Sequence, residues 1–505
     1  MYKMILTKNN LNQIASQNII KPSPEAFNFP EKVLQFGTGV LLRGLPDYFI
    51  DKANRKGVFN GRVAVVKSTG TATAEFDDQD SLYTLCVRGI ENGNLISENI
   101  ISSAISRVIA ADKNWSSILE IAKSPDLKIV ISNTTEVGIA LLKESVDQNP
   151  PASFPAKLLA VLIERFKAFN GSKNAGLVII ATELIPENGK KLAEIVNELA
   201  KFNALPDDFI TWLNQDNTFC NSLVDRIVPG KPDATTLASI KQELGYSDHL
   251  LAMTEPYRLW AIEGGQKVKD VLEFAKIDAG VVISEDIEIY RELKVRLLNG
   301  THTLTSGIAF LAGIATVKNA MSNPQVNAYI ETLMNTEISP AIPYQVTEPE
   351  TRAFSKSVVD RFANPFIEHL WLNITFQYSM KMKIRVLPLL LNHYKIFQKV
   401  PEKLAFGFAA YLVFMKTNKT ENGKYFGAYN DIHYQITDDK AAYFYEKSKS
   451  TSYVIDVLSD AAFWTADLSL LSGFIDEVNS KYNAILVNGI AAELANLNAL
   501  SRNMS

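Results

Sequence analysis

Three side chains with complementary chemistry, Lys294, Asn299 and His302, stand within nine residues in the segment LKVRLLNGTHTL. Reduction of a carbonyl group requires a proton donor for the developing alkoxide and hydrogen-bond donors that stabilise it. A lysine beside apolar walls can transfer a proton near neutral pH, because burial disfavours its charged form. Asn299 can donate to the oxygen, and His302 can bind the substrate or orient the lysine. These residue types indicate acid/base chemistry at a carbonyl.

The apolar residues around these three side chains follow a helical pattern. On an α-helix Asn299 lies about 140° from Lys294, with His302 between them, so all three can line one side of a cleft. Taken singly, a helical lysine or asparagine is usually solvated, and a lone histidine is usually structural. A lyase or isomerase with Lys294 as a Schiff-base nucleophile is a further alternative.

A glycine-rich turn, Gly37-Thr38-Gly39, lies between the apolar run KVLQF and a helical pattern. In this context Gly37 permits a tight turn, and Gly39 lets the backbone approach the pyrophosphate of a dinucleotide at a helix N-terminus. The usual third glycine is replaced by Leu42, and Arg43 can add positive charge. The turn predicts nucleotide binding, by an enzyme or by a non-enzymatic regulator; a turn without any ligand is the alternative.

Polar residues also follow two later strand patterns. The run RVAVV ends in Lys67-Ser68-Thr69, where NAD-binding folds usually have an acidic residue for the ribose hydroxyls. A lysine there tolerates the 2′-phosphate of NADP, so the pattern leaves the choice between NAD and NADP open. The polar run 132–136 (SNTTE) ends another strand, and Asn133 and Thr134 are predicted cofactor contacts or, alternatively, helix caps.

The periodicity divides the chain into two parts. Short apolar strands alternate with helical patterns in residues 1–284, which predicts a Rossmann-type domain with a parallel sheet. Residues 285–505 are mainly α-helical by their pattern and are expected to form a second domain. We expect the first 30 or so residues to be an arm or leader, and residues 416–431 to be a long surface loop.

Composition narrows the class of protein. The 505 residues carry a net charge of −4, which argues against nucleic-acid or membrane-surface binding. Two cysteines, no signal-peptide pattern and no apolar run of about 20 residues favour a cytoplasmic protein. The five histidines are scattered without a zinc motif, so no metal site is expected. Composition does not distinguish a monomer from a homodimer.

Several segments together resemble the mannitol dehydrogenase family of polyol-specific long-chain dehydrogenases. The resemblance extends over nearly the whole chain and is carried, in order, by QFGTGVLLR, FCNSLVDRIVP, TEPYRLWAIEG, the Lys294-x4-Asn299-x2-His302 spacing and RFANPFIEHLWLNITFQYSMKMKIRVLP. It implies an N-terminal Rossmann-type domain, a helical C-terminal domain, and reduction of an open-chain sugar or keto-sugar acid with a nicotinamide cofactor and no metal. The expected cofactor is NAD, with NADP not excluded.

The resemblance also assigns roles to residues. It implies Lys294 as acid/base, Asn299 in the oxyanion hole, His302 as a substrate contact and Lys381 near the substrate. The implied cofactor contacts are Gly37, Gly39, Arg43, Asn133, Thr134 and Asp225.

Two departures from the family pattern favour a substrate other than mannitol. Thr182-Glu183-Leu184 replaces a C-D-N segment, which leaves Asn188 as a candidate second donor, and Asn373 stands where an arginine is usual. A uronate would need a cation for its carboxylate, because an unpaired buried charge is costly. The candidates, among which spacing does not choose, are Arg43, Arg258, His369, Lys381 and Arg385.

Overall fold

The computed structural model describes residues 4–15, 18–134 and 138–503, and the chain folds into two compact units. The described residues within 1–88 and 95–287 form one unit, which we call the N-terminal unit. Those within 89–94 and 288–505 form the other, the C-terminal unit. No helix within these ranges is both long enough and apolar enough to cross a bilayer.

The N-terminal half contains three sheets within its described residues, of which the largest is parallel. Its strands are β1 (Ile19–Ile20), β2 (Glu31–Phe36), β3 (Arg62–Lys67), β4 (Tyr83–Glu91), β5 (Asn94–Ser102), β6 (Ile105–Ala110), β7 (Ile129–Ser132), β8 (Val178–Ala181), β9 (Thr218–Cys220), β10 (Ser222–Asp225), β11 (Ala252–Thr254), β12 (Leu259–Glu263) and β13 (Val281–Ser284). Its α-helices are α1 (Val40–Gly44), α2 (Pro46–Arg55), α3 (Ala74–Asp77), α4 (Ala111–Ala122), α5 (Phe154–Ala168), α6 (Asn188–Phe202), α7 (Asp207–Asp216), α8 (Ala234–Leu244) and α9 (Gln266–Val271).

The main sheet has six strands in the order β6-β3-β2-β7-β8-β9, and every neighbouring pair is parallel. This is the strand order of the doubly wound dinucleotide fold, with β2 as its first strand. Leu34 and Phe36 of β2 pack into one hydrophobic core, and Val33, which precedes them on the strand, packs into another. The sheet is therefore covered on both faces, and the predicted Rossmann-type fold is confirmed.

Two predictions for the N-terminal part were wrong. The helical pattern that follows the glycine turn does not form one continuous helix but breaks between α1 and α2, where Leu45 leaves helical geometry and Pro46 begins a new helix. The described residues among the first 30 do not form a free arm, because Leu6, Leu11 and Ile14 are buried in a core with strands of a second sheet. That sheet has the order β1-β5-β4-β11, and a third has β10-β12-β13.

The C-terminal part is mainly helical, as predicted. Its α-helices are α10 (Glu288–Leu293), α11 (Thr301–Leu311), α12 (Val317–Met321), α13 (Pro324–Leu333), α14 (Glu348–Phe362), α15 (Trp371–Ile374), α16 (Tyr378–Lys381), α17 (Leu387–Phe397), α18 (Glu402–Met415), α19 (Ala441–Lys447), α20 (Tyr453–Leu458), α21 (Ala461–Trp464), α22 (Phe474–Asn488) and α23 (Ile490–Asn503). Among the described residues three segments are π-helical: Lys294–Gly300, Met334–Ile338 and Met382–Val386. Short 3₁₀ turns occupy Lys8–Gln13, Pro24–Asn28, Lys173–Ala175, Glu273–Lys276, Ser339–Ala341 and Leu468–Leu470.

The predicted surface loop at 416–431 is instead most of a three-stranded antiparallel sheet. Its strands are β14 (Thr417–Glu421), β15 (Lys424–Tyr429) and β16 (Ile432–Ile436). Asn422 and Gly423 both have positive φ, at 50° and 73°, which is the geometry of a tight hairpin turn. The Asn-Gly pair was the sequence signal for this hairpin, and the polar composition of the strands obscured it.

Candidate active site

The glycine turn after β2 requires glycine at its first position. Gly37 has a φ of +129°, and a Cβ added there would lie 2.7 Å from the backbone oxygen of Asn133. The Gly37 N–H donates to the Val66 carbonyl at 3.1 Å, so the turn is pinned against β3. Gly39 has no atom within 4 Å of the corresponding position. The turn is thus closed toward β7 at Gly37 and open at Gly39.

A cavity of about 580 Å³ lies at the carboxyl ends of β2, β3 and β7. It brings together four of the predicted cofactor contacts, Gly37, Gly39, Asn133 and Thr134. The remaining lining residues are Thr38, Lys67, Ser68, Thr69, Gly138, Ala140, Leu142, Ala152, Ser153 and Phe154. This is the crevice where doubly wound folds bind nucleotides. Of the predicted polar run, Thr135 and Glu136 lie outside the described residues.

The chemistry of this cavity fits a dinucleotide. Among the described lining residues Lys67 is the one charged side chain, and its Nζ donates to the Ala72 carbonyl at 2.7 Å. The buried Ser68 hydroxyl has no hydrogen-bond partner in the described chain. An open glycine, an unpartnered hydroxyl and a cation are groups that bind ribose and phosphate oxygens.

A buried carboxylate that sequence reasoning missed holds one wall of the cavity. Glu183, after β8, accepts hydrogen bonds from the Thr134 N–H at 2.9 Å and the Thr134 hydroxyl at 3.0 Å. Its other oxygen accepts from the Ser132 hydroxyl at 3.1 Å. Asn133 is held separately, because its amide donates to the Thr182 carbonyl at 3.0 Å. The signal available in the sequence was position: Glu183 follows β8, and Asn133 and Thr134 follow β7, the strand beside it.

Two predicted cofactor contacts do not line this cavity. Arg43 is buried and donates to the Leu250 carbonyl, and its guanidinium lies 5.8 Å from the ring centre of Phe76 and 5.4 Å from that of Tyr83. Asp225 is buried at the end of β10. Both residues are therefore packed within the N-terminal unit.

Two predicted substrate contacts have their polar groups bound within the same unit. Asn188 is buried, and its amide donates to the Glu183 carbonyl at 2.9 Å and to the Ser222 carbonyl at 3.0 Å. Arg258 forms an ion pair with Asp278 at 2.7 Å. Both amide hydrogens of Asn188 and the charge of Arg258 are therefore already paired, and neither enters the proposed site below.

In the C-terminal unit, Lys294 and Asn299 lie on a π-helical segment, Lys294–Gly300, and not on the α-helix that spacing predicted. A π-helix pairs residues five apart, so it turns less per residue and brings Lys294 and Asn299 closer to one face. Both residues are partly exposed. The amide group of Asn299 has no hydrogen-bond partner among the described residues, which leaves it able to donate to a ligand.

The π-helical segment Lys294–Gly300 is fastened to the π-helical segment Met382–Val386 by one arginine. Arg296 donates to the carbonyls of Ile384 at 2.6 Å and Arg385 at 3.0 Å, and it forms an ion pair with Glu292 at 2.8 Å. A π-helical turn leaves some backbone carbonyls without their usual α-helical partner, so an arginine fork is a suitable donor for them. The two π-helical segments that carry Lys294 and Arg385 are therefore held in a fixed position relative to each other.

His302 follows on α11 and is enclosed by rings. Its imidazole stacks on Phe362 with ring centres 4.0 Å apart, and the edges of His369 and Trp371 approach at 5.2 and 5.9 Å. The buried Nε2 atom has no hydrogen-bond partner in the described chain. The pKa of His302 is lowered well below its usual value, mainly by burial and further by electrostatic interaction with His369, Arg361, Arg385 and Lys381. His302 is thus neutral at neutral pH.

We call His369, Lys381 and Arg385 the basic cluster. Lys381 donates to the Ile374 carbonyl at 2.8 Å, and burial together with the charge of Arg385 lowers its pKa to about 8. Arg385 donates to the Thr303 hydroxyl at 3.2 Å. Within the described residues neither Lys381 nor Arg385 forms an ion pair with a carboxylate. Asn373, also predicted here, is exposed on α15.

Comparison with known families identifies both parts of the chain. Residues 31–276 match the mannitol dehydrogenase Rossmann domain, and residues 286–486 match the mannitol dehydrogenase C-terminal domain. Altronate oxidoreductase of Halalkalibacterium halodurans is 36% identical, with 94% of each chain covered. Altronate oxidoreductase of Bacillus subtilis is 37% identical over 90% of this chain and 93% of that protein.

Two solved structures share the fold. Mannitol 2-dehydrogenase of Pseudomonas fluorescens, in a ternary complex with NAD and D-mannitol, has a TM-score of 0.67 at 21% identity, over 98% of this chain and 99% of that one. A D-sorbitol dehydrogenase in substrate-free form has a TM-score of 0.75 at 19% identity, over 97% and 100%. With the two family models and the relatives above, they show that this chain is a dehydrogenase of CH–OH groups that belongs to the mannitol dehydrogenase family.

Proposed function

We propose that this enzyme reduces tagaturonate to altronate, reversibly, with NAD(H). The observation that carries the proposal is the basic cluster around His302, in which Lys381 and Arg385 lack a carboxylate partner among the described residues. Partly buried cations without such a partner suit an anionic substrate, because a bound carboxylate would relieve their mutual repulsion. The names of the relatives in Halalkalibacterium and Bacillus support altronate as the alcohol product.

The cavity at the ends of β2, β3 and β7 would hold the cofactor. Gly37 and Gly39 would accommodate its pyrophosphate, and Lys67, Ser68 and Thr69 would face its ribose. When bound, the nicotinamide supplies the electrons and hydrogen that reduce the carbonyl carbon. Lys67 is compatible with the 2′-phosphate of NADP, so we expect NADPH to be accepted as a poorer second cofactor.

The C-terminal unit would supply the proton and hold the oxygen. Lys294 Nζ would donate a proton to the carbonyl oxygen as it becomes an alkoxide, which completes the alcohol. The free amide of Asn299 would donate a hydrogen bond to the same oxygen. His302, neutral at working pH, would use its unpartnered Nε2 to bind a hydroxyl of the sugar. In the oxidative direction Lys294 would accept the proton.

The competing assignments are fructuronate reductase and mannitol or another polyol 2-dehydrogenase of the same family. A screen of NADH oxidation at 340 nm with tagaturonate, fructuronate and fructose separates them. We expect fast turnover of tagaturonate, slower turnover of fructuronate and little of fructose. Fast turnover of fructose, or of mannitol in the reverse direction, would contradict the sugar-acid assignment.

Two tests exclude other uses of the same residues. A regulator would bind cofactor without any turnover in this screen. If the enzyme formed a Schiff base, borohydride would reduce the imine and leave tagaturonate covalently attached to Lys294. A dehydrogenase would acquire no such adduct. Intact-mass measurement after borohydride treatment reads this outcome directly.

A further inference from the structure

The guanidinium group of Arg385 is linked to the backbone of Asn299 through the hydroxyl group of Thr303. Thr303 donates its hydroxyl hydrogen to the Asn299 carbonyl at 2.7 Å. The same oxygen accepts a hydrogen bond from Arg385 Nη1 at 3.2 Å. Because a hydroxyl has one hydrogen and that hydrogen goes to Asn299, the arginine must be the donor of the second bond. The guanidinium is thereby fixed at a defined place relative to Asn299.

Arg385 lies among other basic groups. Lys381 precedes it by four residues at the end of α16, and His302 adjoins Thr303, the residue that Arg385 contacts. The charge of Arg385 lowers the pKa of both Lys381 and His302. Among the described residues Asp438 is an acidic group that acts on Lys381, and it accepts from the backbone N–H of Ser379 and Lys440, both at 2.8 Å. Arg385 itself has no carboxylate partner in the described chain.

The side chain of Arg385 is chemically the best carboxylate receptor of the basic cluster. A guanidinium presents parallel N–H groups that match the two oxygens of a carboxylate, whereas an ammonium acts as a point charge. Lys381 loses its positive charge above its pKa of about 8. Burial and Lys381 lower the pKa of His369, so His369 is neutral at neutral pH. Arg385 stays charged under all assay conditions.

We propose that Arg385 binds the carboxylate of the sugar-acid substrate and that Thr303 is the positioning residue that sets its distance from Asn299. This inference rests on the proposed function, because it assumes that the substrate carries both a ketone and a carboxylate. The Thr303 link sets the distance between the carboxylate anchor and the oxyanion donor. The enzyme would therefore select open-chain acids by the separation of these two groups.

The first test compares Arg385→Gln with a matched control, Lys383→Gln. Lys383 lies on the same π-helical segment, but its Nζ sits 4.5 Å from the ring centre of Phe463. Steady-state kinetics would use tagaturonate and D-tagatose, which has a hydroxymethyl group in place of the carboxylate. We expect Arg385→Gln to raise the KM for tagaturonate by about 10- to 100-fold, the loss of a hydrogen bond to a charged group. Turnover of tagatose should not fall.

The second test separates positioning from folding. Thr303→Val removes the hydroxyl at constant size, whereas Thr303→Ser retains it. We expect Thr303→Val to raise the KM for tagaturonate by about three- to tenfold. In Thr303→Ser the hydroxyl is kept, so the KM should stay close to that of the wild type. Added guanidinium ion should partly restore Arg385→Gln and leave Thr303→Val unchanged, because only the first variant lacks the group.

The outcomes distinguish the two proposals. If the wild type does not reduce tagaturonate, the proposed function fails. If the wild type reduces it but Arg385→Gln leaves the KM unchanged, or lowers turnover of tagaturonate and tagatose in parallel, the proposed function stands and the role of Arg385 is overturned. An effect of Lys383→Gln as large as that of Arg385→Gln would likewise overturn it.

Discussion

The cofactor cavity of the N-terminal unit and the basic cluster of the C-terminal unit are built by opposite means. The cofactor cavity is shaped by the backbone, because Gly37 and Gly39 have no side chains to fill it, and Lys67 is the one charged residue among its described lining residues. The basic cluster is instead formed by its charged side chains, since no described carboxylate forms an ion pair with Arg385 or Lys381.

This difference predicts how each region responds to substitution. Where the backbone is tightly packed, as at Gly37, an added side chain should change folding and cofactor affinity together. A charge-shaped cluster depends on electrostatics, so substitutions there should change substrate affinity and its pH dependence with little effect on folding. The predictions below test this contrast.

The largest effect is expected for Lys294→Ala. Loss of the proton donor should lower kcat by about 100- to 10,000-fold, the usual contribution of a positioned acid/base. The control is Lys356→Ala, which removes an exposed lysine of α14 in the same unit. Both variants should unfold at the same temperature as the wild type. Turnover that survives in Lys294→Ala would mean that another group supplies the proton.

Gly37→Ala should be costly in the N-terminal unit. A residue with a side chain at φ +129° and 2.7 Å from the Asn133 oxygen strains the backbone by about 1–3 kcal/mol. Denaturant unfolding would measure this loss, and NADH fluorescence the loss of affinity. Gly39→Ala is the matched control, because its added Cβ meets no atom within 4 Å. It should weaken cofactor binding with little change in stability; equal destabilisation of both variants would contradict the steric interpretation.

Substrate affinity should depend on pH through Lys381. This lysine is cationic below its pKa of about 8 and neutral above it. The KM for a sugar acid should therefore be constant at lower pH and rise by up to about tenfold per pH unit above 8. In Lys381→Arg the rise should vanish, because arginine stays protonated. In Arg385→Gln it should move to higher pH, since Arg385 lowers the pKa of Lys381. A KM that is flat between pH 7 and 9.5 would contradict this role.

The smallest effect is expected for Lys67→Ala. A partly exposed cation that meets a phosphate contributes about 1 kcal/mol or less, so NADPH should bind about fivefold more weakly or less. NADH lacks the 2′-phosphate and should bind almost as before. Cofactor titrations under identical salt conditions would measure both. Equal losses for the two cofactors would show that Lys67 does not face the ribose.

The sequence predicted what local pattern encodes. The strand RVAVVK was expected at 62–67 and forms β3 over Arg62–Lys67, because a continuous β-branched run suits a sheet buried on both faces. Strands β14 to β16 were missed because their outward residues are polar, and only the Asn422-Gly423 pair marked the turn. Periodicity also read Lys294–Gly300 as α-helical, since the pattern of apolar residues carries no mark of a π-helical turn.

Contacts between residues far apart in the chain could not be predicted from the sequence. Spacing placed Arg258 and Arg385 equally among the candidate cations. Only the fold reveals that Asp278 pairs with Arg258, whereas Arg385 reaches a hydroxyl, Thr303, 82 positions earlier in the chain. Glu183 was likewise visible as a residue but not as the partner of Thr134. Which of several like residues keeps an unpaired charge depends on tertiary neighbours that a local pattern does not contain.

The π-helical segment Lys294–Gly300 can be regarded as one extra residue inserted into an otherwise α-helical rod. Deleting a single residue from it would return the rod to α-helical phase and rotate Lys294 by about 100° relative to His302. Every side chain assigned a chemical role would remain, yet the proton donor would point elsewhere. A relative that lacks one residue in this segment would therefore retain all of these side chains and still be inactive.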